Sequence, residues 1–440
     1  MAEPMSGPTK KTVAFVSAVF PYPADSGKKV VISGFLRFLQ EAVGADNITY
    51  VGLGTFDRSV AVPFRTMTIP LDGATRRLGS VAVHALMLRR KSLQEALLYS
   101  PRVQRRLRRC IEAIDPDIVI MDTIRIAQFF EKVIARAPNR RWILYMEDLF
   151  SQRYRNLLAD LGHDRPGADP LGGFADAVPA PFRPLARPRS IRAAFYSLEQ
   201  RLVARRERRL ARTVDRVCLV NPEEASSLAA EVTEAEVWET PPCIATPPVR
   251  RRAEVAARGP FVILGALHYP PNIVAVQDFL SEAMPQIARE MPGARVVIVG
   301  KGAPDSLRSL AARWKPHLEL VGFVPHIDVL FAEAAAMIVP VRVGSGLKLK
   351  VLEALAHGLP LITTSKGIDS IPIEQGVHGL VSDDIGEFPL FMRALQDPAA
   401  NAQVSAHCRE LFEQHYTQEA AYPRYAAAFL DQAALIPPAR

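Results

Sequence analysis

The sequence predicts an α/β protein built from two doubly wound parallel sheets. Three observations carry that prediction. Apolar runs of strand length alternate with helix-period segments through both halves of the chain. The runs are unbroken rather than alternating with polar residues, which marks parallel strands covered on both faces. The pattern also breaks once, at ETPPCIATPPVRRRAEVAARG (Glu239–Gly259), and then restarts. At 440 residues, 49% of them apolar, the chain can bury two or three cores. The expected architecture is two Rossmann-like domains facing across a cleft, each with a ligand edge at its strand C-termini.

The elements follow in order. VAFVSAVF (Val13–Phe20) reads as a strand, KKVVISGFLRFLQ (Lys28–Gln40) as a helix and ITYVGLG as a strand. DIVIMD (Asp117–Asp122), RWILYMED (Arg141–Asp148) and DRVCLVN (Asp215–Asn221) are further strands, the first two ending in acidic residues. Periodicity dissolves over about 160–190 into a Pro- and Gly-rich stretch too long for an ordinary connection, read as an insertion or lid. Residues 1–240 form the first domain, 241–259 the linker and 260–420 the second domain. The second domain runs FVILGAL (strand), NIVAVQDFLSEAMPQIARE (helix), ARVVIVG (strand), SLRSLAARW (helix), LELVGFV (strand), HIDVLFAEA (helix) and AMIVPV (strand).

Then comes VGSGLKLKVLEALAHGLP (Val343–Pro360). Leu349, Leu352, Leu355 and Ala356 fall at helical spacing, Gly358 with Pro360 is a helix stop, and LITT (Leu361–Thr364) then reads as a short strand. The backbone N–H groups of Gly344–Leu347 cannot all be paired inside the helix, and glycines let a ligand approach them. Such a start favours phosphate, and Lys348 and Lys350 add mobile positive charge. Glu353 shares a face with Lys350 and His357, and its carboxylate could accept from two vicinal hydroxyls. Phosphate at the helix start and a diol one turn along describe a nucleoside diphosphate. A solvated Lys–Glu surface pair fits the spacing equally well. Neither GxxxxGK[ST] nor GxGxxG is present.

VPVRVGSGLKLKVLEALAHGLPLITTSKGIDSI (Val339–Ile371) resembles the donor-binding signature of the retaining GT-B-fold glycosyltransferases of family 4 (group 1). GALHYPPNIVAVQDFL (Gly265–Leu280), ARVVIVGKG and LVGFVPHIDVLFAEA are similar to the donor domain of one branch, and PYPADSGKKV (Pro21–Val30) resembles its first glycine loop. The resemblance implies that Glu353 binds the donor ribose. It implies that Gly344, Ser345, Gly346 and Leu347 meet the diphosphate and sugar, with Lys348 and Lys350 beside them. It also implies that Gly322 and Val324 border the base, that His268 stands at the donor-facing turn, and that Gly27 approaches the phosphates from the other domain. A terminal helix (421–440) crossing back to the first domain is implied too. One departure is Ser345, where many members carry the glutamate that contacts the donor sugar; the turn GALHYPPN also lacks a common Arg and Lys.

Retaining transfer needs the leaving diphosphate stabilised, a role for Lys348, Lys350 and the helix start. Asp148, then Glu147 and Asp122, are the acidic strand ends expected on the acceptor side, where a carboxylate could receive the acceptor proton; helix capping or arginine pairing is the plain alternative for each. Asp115-Pro-Asp117 and Asp383-Asp384 imitate metal-binding pairs but stand in the wrong places, and the histidines show no zinc spacing. No cofactor is expected beyond a nucleotide sugar as substrate.

The net charge of +8 lies in residues 1–250, residues 251–440 being slightly acidic. It clusters in RVQRRLRRC (Arg102–Cys110) and in Arg183–Arg212. The second block is read as a solvated helix or as an attachment to an anionic membrane or lipid-diphosphate acceptor; nucleic acid is disfavoured, since no aromatics interleave with the arginines. No apolar run approaches the roughly 20 residues of a membrane span, nothing resembles a signal peptide, and the four cysteines lack CxxC spacing. A cytoplasmic protein, peripheral at the inner membrane face, is expected. The leading expectation is transfer of a sugar from a nucleotide sugar to a glycan or lipid-linked acceptor. A sugar-nucleotide epimerase and a non-catalytic scaffold are the alternatives.

Overall fold

The computed structural model describes residues 11–24, 26–56, 60–73, 79–161, 188–249, 251, 256–343 and 346–431. It divides into two compact units. The first comprises residues 1–154, 197–243 and 421–440, and the second 155–196 and 244–420.

The first unit holds a seven-stranded parallel sheet: β1 (Val13–Ser17), β2 (Ile48–Leu53), β3 (Arg65–Ile69), β4 (Ile118–Asp122), β5 (Arg141–Glu147), β6 (Arg216–Leu219) and β7 (Val237–Glu239), in the order β3-β2-β1-β4-β5-β6-β7. β1, β2 and β4 are buried along their whole length, as strands covered by helices on both faces must be. The second unit holds a six-stranded parallel sheet: β8 (Phe261–Leu264), β9 (Val296–Val299), β10 (Leu318–Val321), β11 (Ala336–Val339), β12 (Leu361–Thr363) and β13 (Gly379–Val381), in the order β10-β9-β8-β11-β12-β13. Strand order reverses between β1 and β4 in one unit and between β8 and β11 in the other. In open parallel sheets the crevice at such a reversal, outside the strand carboxyl ends, is where ligands bind.

Some elements differ from the sequence reading. The helix expected over Asn272–Glu290 is two, Pro270–Glu282 and Met284–Glu290. Pro285 has no N–H to continue the first ladder and sits instead in the opening turn of the second. The described residues 155–161 and 188–196 group with the second unit rather than with the domain 1–240 in which the sequence placed them. The helices Phe150–Asp160 and Arg189–Ala211 therefore each belong to both units. The latter has 23 residues, about 35 Å at 1.5 Å per residue. Most of the Pro- and Gly-rich stretch falls outside the described residues.

The terminal helix, Gln418–Leu430, packs on the first unit. Phe35 meets Tyr425 and Phe429 edge-on at centroid distances of 4.9 and 5.2 Å. Arg216 donates to the carbonyls of Ala427 and Ala428, and Lys11 to that of Leu430. In the second unit Arg251 is buried without an acidic partner among the described residues. It donates to the carbonyls of Ala334, Ala335 and Gly358 and to Asn401 Oδ1, and burial pulls its guanidinium down to about 10.

Candidate functional site

Both reversal points carry charged side chains. In the second unit, the chain leaves β11, crosses Val343–Lys348 and enters the helix Leu349–Ala356. Arg342 anchors the entry: its guanidinium makes paired bonds of 2.6 and 2.7 Å to Glu282 and reaches the carbonyl of Asp383. Gly346 has φ +84°, a left-handed conformation that only glycine adopts without strain, so the loop turns there into the helix. Gly344 and Ser345, expected at the phosphates, lie outside the described residues.

Lys348 occupies the N-cap position with extended backbone, its amine folded back 2.7 Å from the carbonyl of Gly346. Lys350 is not the mobile cation expected from the sequence. It crosses the reversal point, donating to the carbonyl of Leu264 at the end of β8 (3.0 Å), near Asn272 Oδ1 (3.5 Å). Burial, then the charge of Lys348, lowers its pKa to about 8. The expectation overlooked the neighbouring strand end, whose terminal carbonyl has no further ladder partner and takes the amine.

Glu353 lies half-buried one turn on, its carboxylate making no hydrogen bond or ion pair among the described residues. Burial, reinforced by Asp328, raises its pKa. Its helix-face neighbour His357 turns elsewhere, to Asp328 Oδ1 at 3.0 Å and edge-on to Phe331. Glu353 is thus a desolvated carboxylate whose acceptors are open.

The remaining residues of this edge follow the strands β8, β9 and β10. Gly300 follows β9 at a position where a Cβ would lie 1.8 Å from the carbonyl of Gly265, so the turns after β8 and β9 touch backbone to backbone. His268 is exposed in the turn before the helix Pro270–Glu282 and packs on Gly302. Gly322 is exposed and Val324 half-buried after β10. Between them Phe323 is 62% exposed, with the Lys301 amine 3.9 Å from its ring centre. Phe323, Lys301 and Asn272 were overlooked in the sequence, although Phe323 sits in the quoted LVGFV segment, where an aromatic beside glycine at a strand end was the available signal.

In the first unit the reversal lies between Ser17 and Asp122. Lys28, one residue into the helix Gly27–Val43, places its amine 2.8 Å from Asp122 Oδ1 and 2.9 Å from Glu147 Oε2. Ser17 donates to the other oxygen of Asp122, which is 1% exposed. Thr123 and Glu147, at the ends of adjacent strands, have φ of +68° and +69°. Such a conformation costs a non-glycine residue about 1–3 kcal/mol and concentrates at functional sites. Burial works against ionisation of Glu147, but Lys28, with Arg153 and Arg125, outweighs it and lowers its pKa. Sequence reasoning named Gly27 and missed Lys28, the residue that binds both carboxylates.

Asp148, the first-ranked acid, follows Glu147 directly in the chain. It is buried and paired with Arg153 at 2.8 Å. The segment behind it is held by Glu224, which accepts from Leu149 N, and Glu207, which accepts from Ser151 N. Burial raises both, Glu207 to about 7 and Glu224 to about 8, the latter helped by Asp148.

The two imitation metal pairs have other work. Asp117 accepts from the N–H and hydroxyl of Thr12, and Asp115 pairs with Arg140. Asp383 accepts from Ser365, and Asp384 from the N–H of Gly386. Among the described residues no three His, Cys, Asp or Glu gather as a metal site, and no helix is long and apolar enough to cross a membrane. The arginine block is partly neutralised: Arg206 pairs with Glu95 and Glu131, Arg208 with Glu231 and Arg212 with Glu234. Arg183 lies outside the described residues.

Residues 259–395 match the family described as glycosyl transferases group 1. A GDP-mannose-dependent monoacylated alpha-(1-6)-phosphatidylinositol monomannoside mannosyltransferase of Corynebacterium glutamicum is 33% identical over 156 residues, 32% of this chain and 40% of that protein. A putative glycosyltransferase of Bacillus subtilis is 31% identical over 127 residues, 26% and 31% of the two. The matched segment thus spans less than half of either relative. Among solved structures, sucrose-phosphate synthase from Thermosynechococcus elongatus superposes with a TM-score of 0.63 at 13% identity, covering 95% of this chain and 98% of that one. Anabaena HepE in complex with UDP gives 0.60 at 11%, covering 94% and 98%. At these identities the likeness concerns the fold.

Proposed function

The chain is related to the glycosyl transferases of group 1 through residues 259–395 and has their GT-B fold, and from that premise we propose that it transfers a sugar, with retention of configuration, from a nucleoside-diphosphate sugar to a hydroxyl acceptor. One observation carries the proposal. At the reversal point of the second sheet, an open carboxylate (Glu353) stands one turn beyond a glycine-turned helix start flanked by two lysines.

The role of each group follows from its chemistry. The diphosphate takes the N–H groups left unpaired at the helix start, together with the Lys348 and Lys350 amines. These positive groups supply stabilisation as negative charge develops on the leaving diphosphate. Glu353 accepts from the ribose hydroxyls, and Phe323, between Gly322 and Val324, offers its face to the base. In the first unit, Lys28 bridges Asp122 and Glu147 and holds them in place, so that they can orient an acceptor hydroxyl and take up its proton. A glycan or lipid-linked acceptor at the inner face of a membrane fits the basic surface of that unit.

Calorimetry with UDP, GDP, dTDP and ADP tests the donor site. One nucleotide binds wild type, and Glu353→Ala weakens it by about 10–100-fold, the worth of charge-assisted hydrogen bonds. Equal affinity in the variant would remove the ribose assignment. With the base known, the matching nucleotide sugars are then assayed with and without an acceptor; turnover without one would favour an epimerase.

A further inference from the structure

The first unit holds a cavity of about 730 Å3 whose lining includes none of Lys28, Asp122 and Glu147. Its walls are strongly one-signed. Arg89, Arg90, Lys132 and Arg205 line it and carry no ion pair among the described residues. Lys91, Arg206 and Arg209 also line it, and Glu131 is the acid on its surface. The floor is rigid. Arg206 is buried against Glu95, which closes a capping box with Ser92 at the start of the helix Leu93–Leu98. Glu199 accepts from the next N–H groups, those of Leu93 and Gln94. Lys91 donates to Gln128 and lies 4.1 Å from the ring centre of Tyr99.

Burial lowers the Lys91 amine to about 8, with Arg206 and Arg209 among the charges that add to the effect. His84 is lowered as well, by burial and then by Lys91 and Arg90. Positive charge concentrated in a concave site calls for an anion, and phosphate suits a fork of guanidiniums.

The rim has the opposite character. Val83, Met87 and Leu88 are exposed by 41, 72 and 40% on the helical turn Val81–Met87 and the residue after it. Leu88 lines the cavity itself, while Val83 lines a neighbouring one of about 410 Å3 that shares His84 and Tyr99. Apolar side chains standing into solvent beside arginines are the pattern of an interfacial segment, which sinks its apolar face below the head groups.

We propose that this cavity binds the phosphate head group of a membrane lipid, with Val83, Met87 and Leu88 resting in the bilayer. It is distinct from the donor site, and its occupancy does not depend on sugar transfer; only the idea that the lipid is the acceptor rests on the proposed function. The geometry also relocates the basic surface foreseen in the sequence. Arg205, Arg206 and Arg209 of that block contribute, but Arg89, Arg90 and Lys132 complete the site.

Flotation of the full chain with phosphatidylcholine vesicles, with and without phosphatidylglycerol, tests it. Wild type floats with the anionic vesicles. The variant Arg89→Ala/Arg90→Ala loses about tenfold or more of that binding, and Met87→Ser also reduces it. The control Arg108→Ala/Arg109→Ala removes the same charge from the exposed helix Pro101–Ile114 and stays near wild type. Equal losses in the two double variants would overturn the site in favour of diffuse surface charge. Absence of flotation would overturn the lipid, and if glycerol phosphate then bound by calorimetry with Arg89/Arg90 dependence, the cavity would be one for soluble phosphates. Nucleotide binding, measured alongside, stays unchanged in every variant, which separates failure here from failure of the donor site.

Discussion

Lys350 shows how much one side chain's surroundings change its task. Sequence spacing makes it a flexible cation at a helix start, whereas the fold binds its amine to Leu264 and brings its pKa to about 8. An unfolded lysine keeps its proton well above that pH, so between about 8 and 10.5 the unfolded chain binds more protons and stability rises with pH. Ligand binding runs the other way. The ammonium that meets a diphosphate is present below pH 8 and lost above it. Affinity for the cognate nucleoside diphosphate is expected to weaken above pH 8 by up to about tenfold per pH unit. Lys350→Met should bind weakly with a flat profile across that range; a profile unchanged in the variant would assign the titration to another group. No reading of the sequence could supply this, because Leu264 is 86 residues away. Glu353, by contrast, was legible, since its position depends only on helical spacing after the glycine loop.

Among the elements, the helix Phe150–Asp160 has an unusual start. Its first N–H groups are served from other helices, by Glu207 and Glu224. Both carboxyls are raised above the ordinary 4.5, to about 7 and about 8, mainly by burial. The folded protein therefore holds protons that the unfolded chain has released, and stability falls as pH climbs from about 4.5 through 7 and 8. Glu207→Gln and Glu224→Gln keep an acceptor without the charge. At pH 8.5 each is expected to raise the Tm of the first unit by on the order of 3–6 °C, with little change at pH 5. Calorimetric melts at the two pH values check this, and a variant destabilised at both would show that the ionised form is the one the fold needs. Strands were legible wherever they run inside a sheet. Three went unseen, β3, β7 and β13, and all lie at sheet edges. RTMTI of β3 is exposed at its start, and β7 and β13 have three residues each. An edge strand covered on one side needs no apolar run, so the signal that finds central strands is missing.

At the level of the whole molecule, the first unit is assembled from three stretches of chain, the last beginning at Ala421. Tyr425 and Phe429 fill the space beside Phe35 and Phe38, at centroid distances of 4.9–6.4 Å. Removing residues 418–440 uncovers those aromatics and deprives Arg216 of the Ala427 carbonyl. The deletion is expected to abolish the melting transition of the first unit while sparing that of the second, whose core is drawn from residues 261–416. Two-transition calorimetry, with nucleotide added to mark the second unit, distinguishes this from general unfolding; loss of both transitions would mean that neither unit stands alone. The outline of two parallel α/β units was legible because periodicity restarts after the proline-rich segment. The discontinuity of the first was not, since no local pattern says which sheet a terminal helix will cover.

That discontinuity bears on how the chain is made. A ribosome delivers the strands of the first sheet early, yet the aromatic side chains that close it are translated only after the second unit's residues 244–420. The second unit can collapse as soon as its own residues emerge, leaving the first to wait with Phe35 and Phe38 uncovered. A nascent chain in this state is a natural client for a holding chaperone. A product cut short by a premature stop would never bury those rings, and proteases could recognise it by that alone.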